Sequence, residues 1–182
     1  MPERKMLISC AFTGHRPMRF AFGDNESAPL CIQLKKTLEQ QILRLYKRGI
    51  RKFFTGCALG VDMWAGESII FLKEQYPDLE LFCVVPFKGQ EANWELKQQK
   101  RYHDMLEKSD SVVTLNKEYT RGCYFARNRF LVDKADVLLA VYNRNEKQSG
   151  AGYTVDYAIK QQKSIILIDP DTLRLYVHVA KI

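Results

Sequence analysis

The sequence predicts an open, doubly wound α/β fold: a mainly parallel sheet with helices on both faces. Three observations carry that prediction. Short apolar runs alternate with longer stretches of helical periodicity, which implies parallel pairing through right-handed crossovers. The short runs are almost continuously apolar, as strands covered on both faces are. Glycine turns also sit where strands hand over to helices, at Thr13-Gly14-His15-Arg16-Pro17, at Thr55–Asp62 and at Ser149–Thr154.

The first strand is expected at Met6–Phe12. A polar loop, Arg19–Pro29, follows and is placed to act as a mobile lid. Leu30–Tyr46 then sets Leu34, Leu38, Ile42 and Leu45 at helical spacing. The strand Arg51–Thr55 runs through a glycine turn into the helix Val61–Gln75. Next come a strand at Leu79–Pro86, a helix over Gln90–Lys108 and a strand at Ser111–Leu115. The loop Lys117–Gly122 leads into the helix Cys123–Lys134 and the strand Val137–Tyr142. The loop Asn143–Gly152 leads into the helix Thr154–Gln162 and the strand Ser164–Ile168. Leu173–Ile182 reads equally as a helix or a strand. No repeat, low-complexity tract or interdomain linker divides the 182 residues, so one domain is expected.

Composition narrows the function classes. At 46% hydrophobic content a packed core is expected rather than disorder. No apolar run approaches the roughly 20 residues that span a membrane, and the charged start lacks a signal peptide's long apolar core. The five cysteines (Cys10, Cys31, Cys57, Cys83, Cys123) form no C-x-x-C pair. Their odd number and wide spacing fit a reducing, cytoplasmic compartment and suggest neither a disulfide framework nor a metal. No bound cofactor is implied. The net charge of +7 favours polyanionic partners, but without a clustered stripe it does not by itself specify nucleic acid.

The junctions carry the chemistry. Glycine lets backbone approach a ligand, and a helix start offers unpaired N–H groups and the positive end of a dipole, so such turns suit phosphate. Gly56 and Gly60 serve either this purpose or a plain turn. Thr55 can offer a hydroxyl to phosphate or ribose. Asp62 is able to accept from a ribose hydroxyl or to cap its own helix. Gly150, Gly152 and Thr154 precede the expected helix and read as a phosphate cradle or as a connector with a threonine cap. Arg127 is assigned to the cleft, where a guanidinium can grip phosphate with two parallel hydrogen bonds. Arg129 lies about 200° further around the helix and is left to solvent or a salt bridge. Asn128 is placed to bond a base or a neighbouring loop. His15 and Arg16 leave the first strand at its ligand end, His15 reading as a general acid or as a loop hydrogen-bonder. Trp64 reads as core, and Trp94 as a base-stacking or lid residue. Cys57 sits near a helix start without a local histidine partner and is not taken as a nucleophile.

Taken together, these residues resemble the SLOG superfamily, which joins DNA-processing protein A with the Lonely Guy phosphoribohydrolases. Within it the chain looks most like the small stand-alone YpsA-like proteins. Phe12-Thr13-Gly14-His15-Arg16-Pro17 resembles the first-strand motif. Thr55-Gly56 with Leu59-Gly60-Val61-Asp62-Met63-Trp64-Ala65 and Glu67 resembles the second, and Pro86-Phe87 with Gln90-Glu91 and Asn93-Trp94 the third. Ala126-Arg127-Asn128-Arg129, Lys134-Ala135-Asp136, Ser149-Gly150 and Thr154 through Ala158 resemble the core of DNA-processing protein A. The same stretch is similar to the Lonely Guy arginine helix and Gly-Gly-x-Gly-Thr phosphate loop.

The resemblance implies a Rossmann-like fold and a nucleotide or nucleotide-derived ligand, with Glu67 and Trp94 as further binding residues. The first functional reading is therefore a nucleotide-binding protein, a sensor of an ADP-ribose-like metabolite being one form of it. A second is nucleotide N-glycosidase activity, as in the Lonely Guy proteins. That chemistry passes through an oxocarbenium-like state and benefits from a nearby carboxylate, yet Tyr157 stands where those proteins place their catalytic glutamate. Asp62 and Glu67 are the carboxylates that another loop offers. The third is single-stranded nucleic-acid binding, as DNA-processing protein A implies. No catalytic residue is assigned, and self-association is left open.

Overall fold

The computed structural model describes residues 7–146 and 148–180. Met6, and Lys181 and Ile182 at the end of the last expected element, lie outside them. The strands are β1 (Ser9–Gly14), β2 (Lys52–Thr55), β3 (Glu80–Val85), β4 (Ser111–Thr114), β5 (Val137–Val141), β6 (Ser164–Ile168) and β7 (Leu175–His178). The helices are α1 (Pro29–Lys47), α2 (Val61–Leu72), α3 (Leu96–Lys108), α4 (Cys123–Lys134) and α5 (Gly150–Lys160), with a 3₁₀ turn at Pro17–Arg19. The strands form one sheet in the order β4-β3-β2-β1-β5-β6-β7, parallel throughout except for the β6–β7 pair. This is the doubly wound, mainly parallel α/β architecture that the sequence predicts.

The layers follow from side-chain alternation along the strands. Cys10 and Phe12 on β1 pack with α1, α2 and α3 on one face, whereas Ala11 packs with α4 and α5 on the other. On β5, Val137, Leu139 and Val141 take the first side, and Leu138 and Ala140 the second. Phe12 stacks on Phe53 across β1 and β2 at 5.9 Å, both fully buried. Burial of each such side chain contributes about 1.5–3 kcal/mol. The apolar stripe of α1 is buried as its spacing requires, through Leu34, Leu38, Ile42 and Leu45.

The topology positions the site. From β1 the chain steps outward through β2, β3 and β4, then crosses back to β5 on the other side of β1. The helix after β1 and the helix after β5 therefore lie on opposite faces, which opens a crevice at the carboxyl ends of these two strands. That switch point is where open α/β sheets take their ligands.

Four expectations need correction, and one open choice is decided. The helix expected from Gln90 starts at Leu96, because residues 90–94 fold as turns and Trp94 packs edge-on against Tyr102 at 5.5 Å. The helix expected from Thr154 starts at Gly150, capped by Ser149, whose Oγ accepts the Gly152 N–H at 3.0 Å. Gly150 and Gly152 thus belong to the first helical turn. Arg19–Pro29 is packed down rather than a free lid: Phe20 is buried, stacks on Phe22 at 4.9 Å and meets Trp64 at 5.3 Å. β4 is not covered on both faces, since Val112, Val113 and Thr114 are exposed on this edge. The undecided last element forms the antiparallel edge strand β7, after a turn in which Asp169 accepts the N–H groups of Asp171 and Thr172.

Candidate functional site

Four segments close around a cleft of about 370 Å³ at the switch point. The end of β1 supplies Thr13, Gly14, His15 and Arg16, with Arg19 at the rim. The loop into α2 supplies Ala58 and Leu59, and α2 itself Asp62. The first two turns of α4 supply Tyr124, Phe125, Arg127 and Asn128. The start of α5 supplies Ser149, Gly150 and Ala151. A shallower depression of about 530 Å³ shares Arg19 and Ser149 and continues along the 145–148 loop.

Arg127 is buried at the floor. Its Nη1 donates to the Gly56 carbonyl and lies 3.6 Å from Asp62 Oδ2, and its Nε donates to Asn128 Oδ1 at 2.8 Å. Nη2 has no protein acceptor among the described residues. Gly56 is required by this approach: a side chain there would overlap the Arg127 guanidinium and sit 2.7 Å from Asp62 Oδ2. Burial pushes the Asp62 carboxyl above its usual range, opposed by the Arg127 charge and by the Ala58 N–H, which it accepts at 3.4 Å. Burial likewise draws the guanidinium down, opposed by Asp62. Arginine nevertheless keeps its proton, so the floor of the cleft is cationic and partly neutralised.

His15 is buried and ties the two central strands together. Its backbone N–H donates to Val141 O at 3.0 Å, and its Nε2 accepts the Asn143 N–H at 3.1 Å. That bond assigns the proton of the neutral ring to Nδ1. Burial lowers the pKa of the ring despite Glu146, whose carboxylate lies 3.5 Å away, so this contact is not a charged pair at neutral pH. Arg16 is exposed and places its guanidinium 5.0 Å from the centre of the Tyr124 ring. Arg19 pairs with Glu146 at 2.9 Å. At the start of α5 the Ser149 side chain takes the Gly152 N–H, and its carbonyl takes that of Tyr153. The N–H groups of Gly150 and Ala151 have no acceptor among the described residues and stand at the positive end of the helix dipole.

The structure brings eight of the expected residues to this cleft: Thr13, Gly14, His15, Arg16, Asp62, Arg127, Asn128 and Gly150. Others stand behind it. The Thr55 hydroxyl is fully buried, donates to Asp62 O at 2.8 Å and accepts the Cys57 N–H at 3.3 Å. Gly60 adopts φ 90° and ψ −130°, and a Cβ there would lie 2.7 Å from His15 O. Thr154 is buried and donates to Gly150 O at 2.8 Å, a helical back-bond rather than a cap. Gly152 is buried in the same turn.

Two expected residues lie elsewhere. Glu67 forms paired bonds of 2.7 Å with Arg101, and Trp94 packs on Tyr102. Arg129 points outward and donates to the Tyr153 hydroxyl at 2.7 Å. Tyr157 donates to Asp133 at 2.9 Å and does not line the cleft. Cys57 is buried, and burial pushes its thiol well up, which makes it inert. Among the described residues no three His, Cys, Asp or Glu side chains are grouped to hold a metal, and no helix is long and apolar enough to cross a membrane.

Sequence reading missed Ser149, Tyr124, Phe125 and Arg19. Ser149 had a signal only in its residue type, since serine favours the N-cap position. The other three had none, because their place depends on how α4 and the 3₁₀ turn meet across the crevice.

Residues 10–173 match the family model of the YpsA SLOG family. The chain is 38% identical over 146 residues to a UPF0398 protein of Halalkalibacterium halodurans, covering 77% of each chain. It is 32% identical over 174 residues to one of Bacillus licheniformis, covering 92% of this chain and 94% of the other. It is 30% identical over 174 residues to the UPF0398 protein YpsA of Bacillus subtilis, covering 92% and 96%. With a matching region that takes in every segment of the cleft, the chain belongs to the YpsA SLOG family.

Proposed function

We propose that the chain binds a nucleotide or nucleotide derivative of the ADP-ribose type, with a phosphate seated between the start of α5 and Arg127. One observation carries the reading. At the switch point, Gly150, Ala151 and the buried Arg127 line one cleft, and the two backbone N–H groups and Arg127 Nη2 have no acceptor among the described residues. All three are donors, and a phosphate presents only acceptors to them. Arg16 is placed to add a second charge. Asp62 holds Arg127 in place and is the carboxylate that a ribose hydroxyl would meet. Membership of the SLOG family supports a nucleotide-type ligand.

The phosphoribohydrolase alternative finds less support. Tyr157, at the position of the expected glutamate, is engaged with Asp133 away from the cleft. The carboxylate that remains, Asp62, is paired to Arg127. Against the single-stranded nucleic-acid reading, Arg129, the second arginine of the α4 motif, bonds to Tyr153 and turns away from the cleft.

Gly150→Asp tests the reading. A Cβ at Gly150 meets nothing within 4 Å, and a carboxylate in the first turn favours the helix dipole by about 0.3–1 kcal/mol. The variant is expected to fold at least as stably as the parent and to lose binding of ADP-ribose and AMP in calorimetry, because its charge occupies the phosphate position. Absence of binding by the parent to either compound, or unchanged binding by the variant, defeats the proposal.

A further inference from the structure

The cleft does not end at Tyr124. This ring lines it and also meets Phe87 edge-on at 5.8 Å, while Phe87 meets Tyr119 edge-on at 5.5 Å and Tyr119 lies 6.4 Å from Tyr124. The three rings come from the loop after β3, the loop after β4 and the first turn of α4. All of these lie at the carboxyl edge of the sheet. None of the three belongs to either buried core, and Tyr119 is 61% exposed. An aromatic cluster that the core does not use, continuous with a cleft, offers flat apolar surface to a ligand.

Cations stand next to the rings. Arg16, which lines the cleft, sits over Tyr124, the ring that the cleft and the cluster share. Lys88 follows Phe87 directly, and Lys117 and Arg121 flank Tyr119 together with Glu118; the acidic residues of the loop after β3, Glu91 and Glu95, come four and eight residues after Phe87. Aromatic faces beside guanidinium and ammonium groups are the surface on which bases stack while their phosphates are neutralised.

We infer that the Phe87–Tyr119–Tyr124 cluster is a second subsite. It stacks an aromatic ring joined through phosphate to the group held at Arg127 and α5, so the preferred ligand is a dinucleotide. The inference rests on the nucleotide reading above and adds to it the need for a second ring. Arg16 is placed to bridge the two subsites at the linking phosphates. Stacking accepts any base, so the subsite selects for the presence of the ring more than for its identity.

Calorimetry with ADP-ribose and with diadenosine diphosphate, two adenosines joined by a pyrophosphate, isolates the second ring. The dinucleotide is expected to bind about tenfold tighter or better. Tyr119→Ala should remove that advantage and leave ADP-ribose binding unchanged, whereas Tyr119→Phe should keep it. Tyr119 is exposed on a loop, so the alanine variant should fold, and a circular dichroism spectrum checks this. Equal binding of the two compounds by the parent overturns the second subsite while leaving the nucleotide reading in place. Equal weakening of both by Tyr119→Ala also overturns it. Failure of both compounds to bind removes the nucleotide reading and the subsite together. Tighter binding of a thymidine decamer than of the dinucleotide overturns the small-molecule form in favour of a strand.

Discussion

Replacing Arg127 by methionine tests the electrostatic design of the cleft floor. Methionine keeps most of the side-chain volume, so the change removes the charge and the hydrogen bonds to Gly56 O and Asn128 Oδ1 with little loss of packing. Arg127 and Asp62 are 5% and 7% exposed, and their nearest charged atoms are 3.6 Å apart. At an effective dielectric of about 20, that separation corresponds to roughly 4–5 kcal/mol of attraction. Its loss leaves a buried carboxylate without its counter-charge, a change that costs about 3–5 kcal/mol. Asp62 can escape by taking a proton. Its carboxyl already lies above the usual range, and removal of the guanidinium lifts it further.

A carboxyl whose pKa is higher in the folded than in the unfolded state binds more protons when folded. Stability therefore falls as pH rises between the two values, by about 1.4 kcal/mol per unit. Arg127→Met should accordingly lose about 3–5 kcal/mol at pH 8 and clearly less at pH 5, read from urea unfolding followed by circular dichroism. The double variant Asp62→Asn with Arg127→Met should recover much of the loss and flatten the pH dependence. An equal loss at both pH values, or no recovery in the double variant, would refute the reasoning.

Two further outcomes follow from the frame of the site. Gly60→Ala must adopt a backbone conformation that only glycine takes readily and place a Cβ 2.7 Å from His15 O, so chemical denaturation should show a loss of about 3 kcal/mol or more. A loss under about 1 kcal/mol would show that the contact between α2 and the β1 loop yields. Burial raises the pKa of Glu26, but hydrogen bonds from Arg101 and Lys35 prevail and hold it at about 2. A carboxyl depressed in the folded state stabilises above its unfolded value near 4.5 and loses that stabilisation as pH falls toward 2. Between pH 5 and 2 the parent should lose about 2–3 kcal/mol more than Glu26→Gln, measured by thermal unfolding. Parallel pH profiles would contradict the assignment.

What could be read from the sequence, and what could not, divides along physical lines. The central strands were legible because both their faces are covered, and a short, continuous apolar run between glycine turns suits a buried strand better than an amphipathic helix. That Arg127 and Arg129 cannot face the same way needed only about 100° per residue, and the structure turns Arg127, the one chosen for the cleft, inward and Arg129 outward. The start of α5 escapes a propensity-based reading because Gly150 and Gly152 are poor helix formers. Ser149 overrides that preference by capping the turn. Asp62 and Glu67 lie five residues apart, about 140° around α2, so helical geometry already places at most one of them in the cleft. Trp94 is different in kind. Motif resemblance places it near the site in sequence, but its direction depends on Tyr102 of α3, a contact that no local pattern encodes.

The residues that stand behind the cleft support the anion-binding reading proposed for it. The hydroxyls of Thr55 and Thr154 and the side chain of Ser149 are consumed by internal bonds to Asp62 O, Gly150 O and the Gly152 N–H. The Asp62 carboxylate is engaged by Arg127 and Ala58, and the Nε2 lone pair of His15 by Asn143. The internal bonds thus engage much of the acceptor capacity behind the cleft, while two backbone N–H groups at a helix start and one edge of a buried guanidinium keep no acceptor among the described residues. Water can satisfy these in part, but it brings no charge to offset Arg16. A ligand that brings several acceptors and a negative charge meets both needs at once, and its donors already stand in position before it arrives. This is why the Gly150→Asp variant is the sharper probe. It supplies the missing charge from within, and the same substitution that strengthens the helix should close the site.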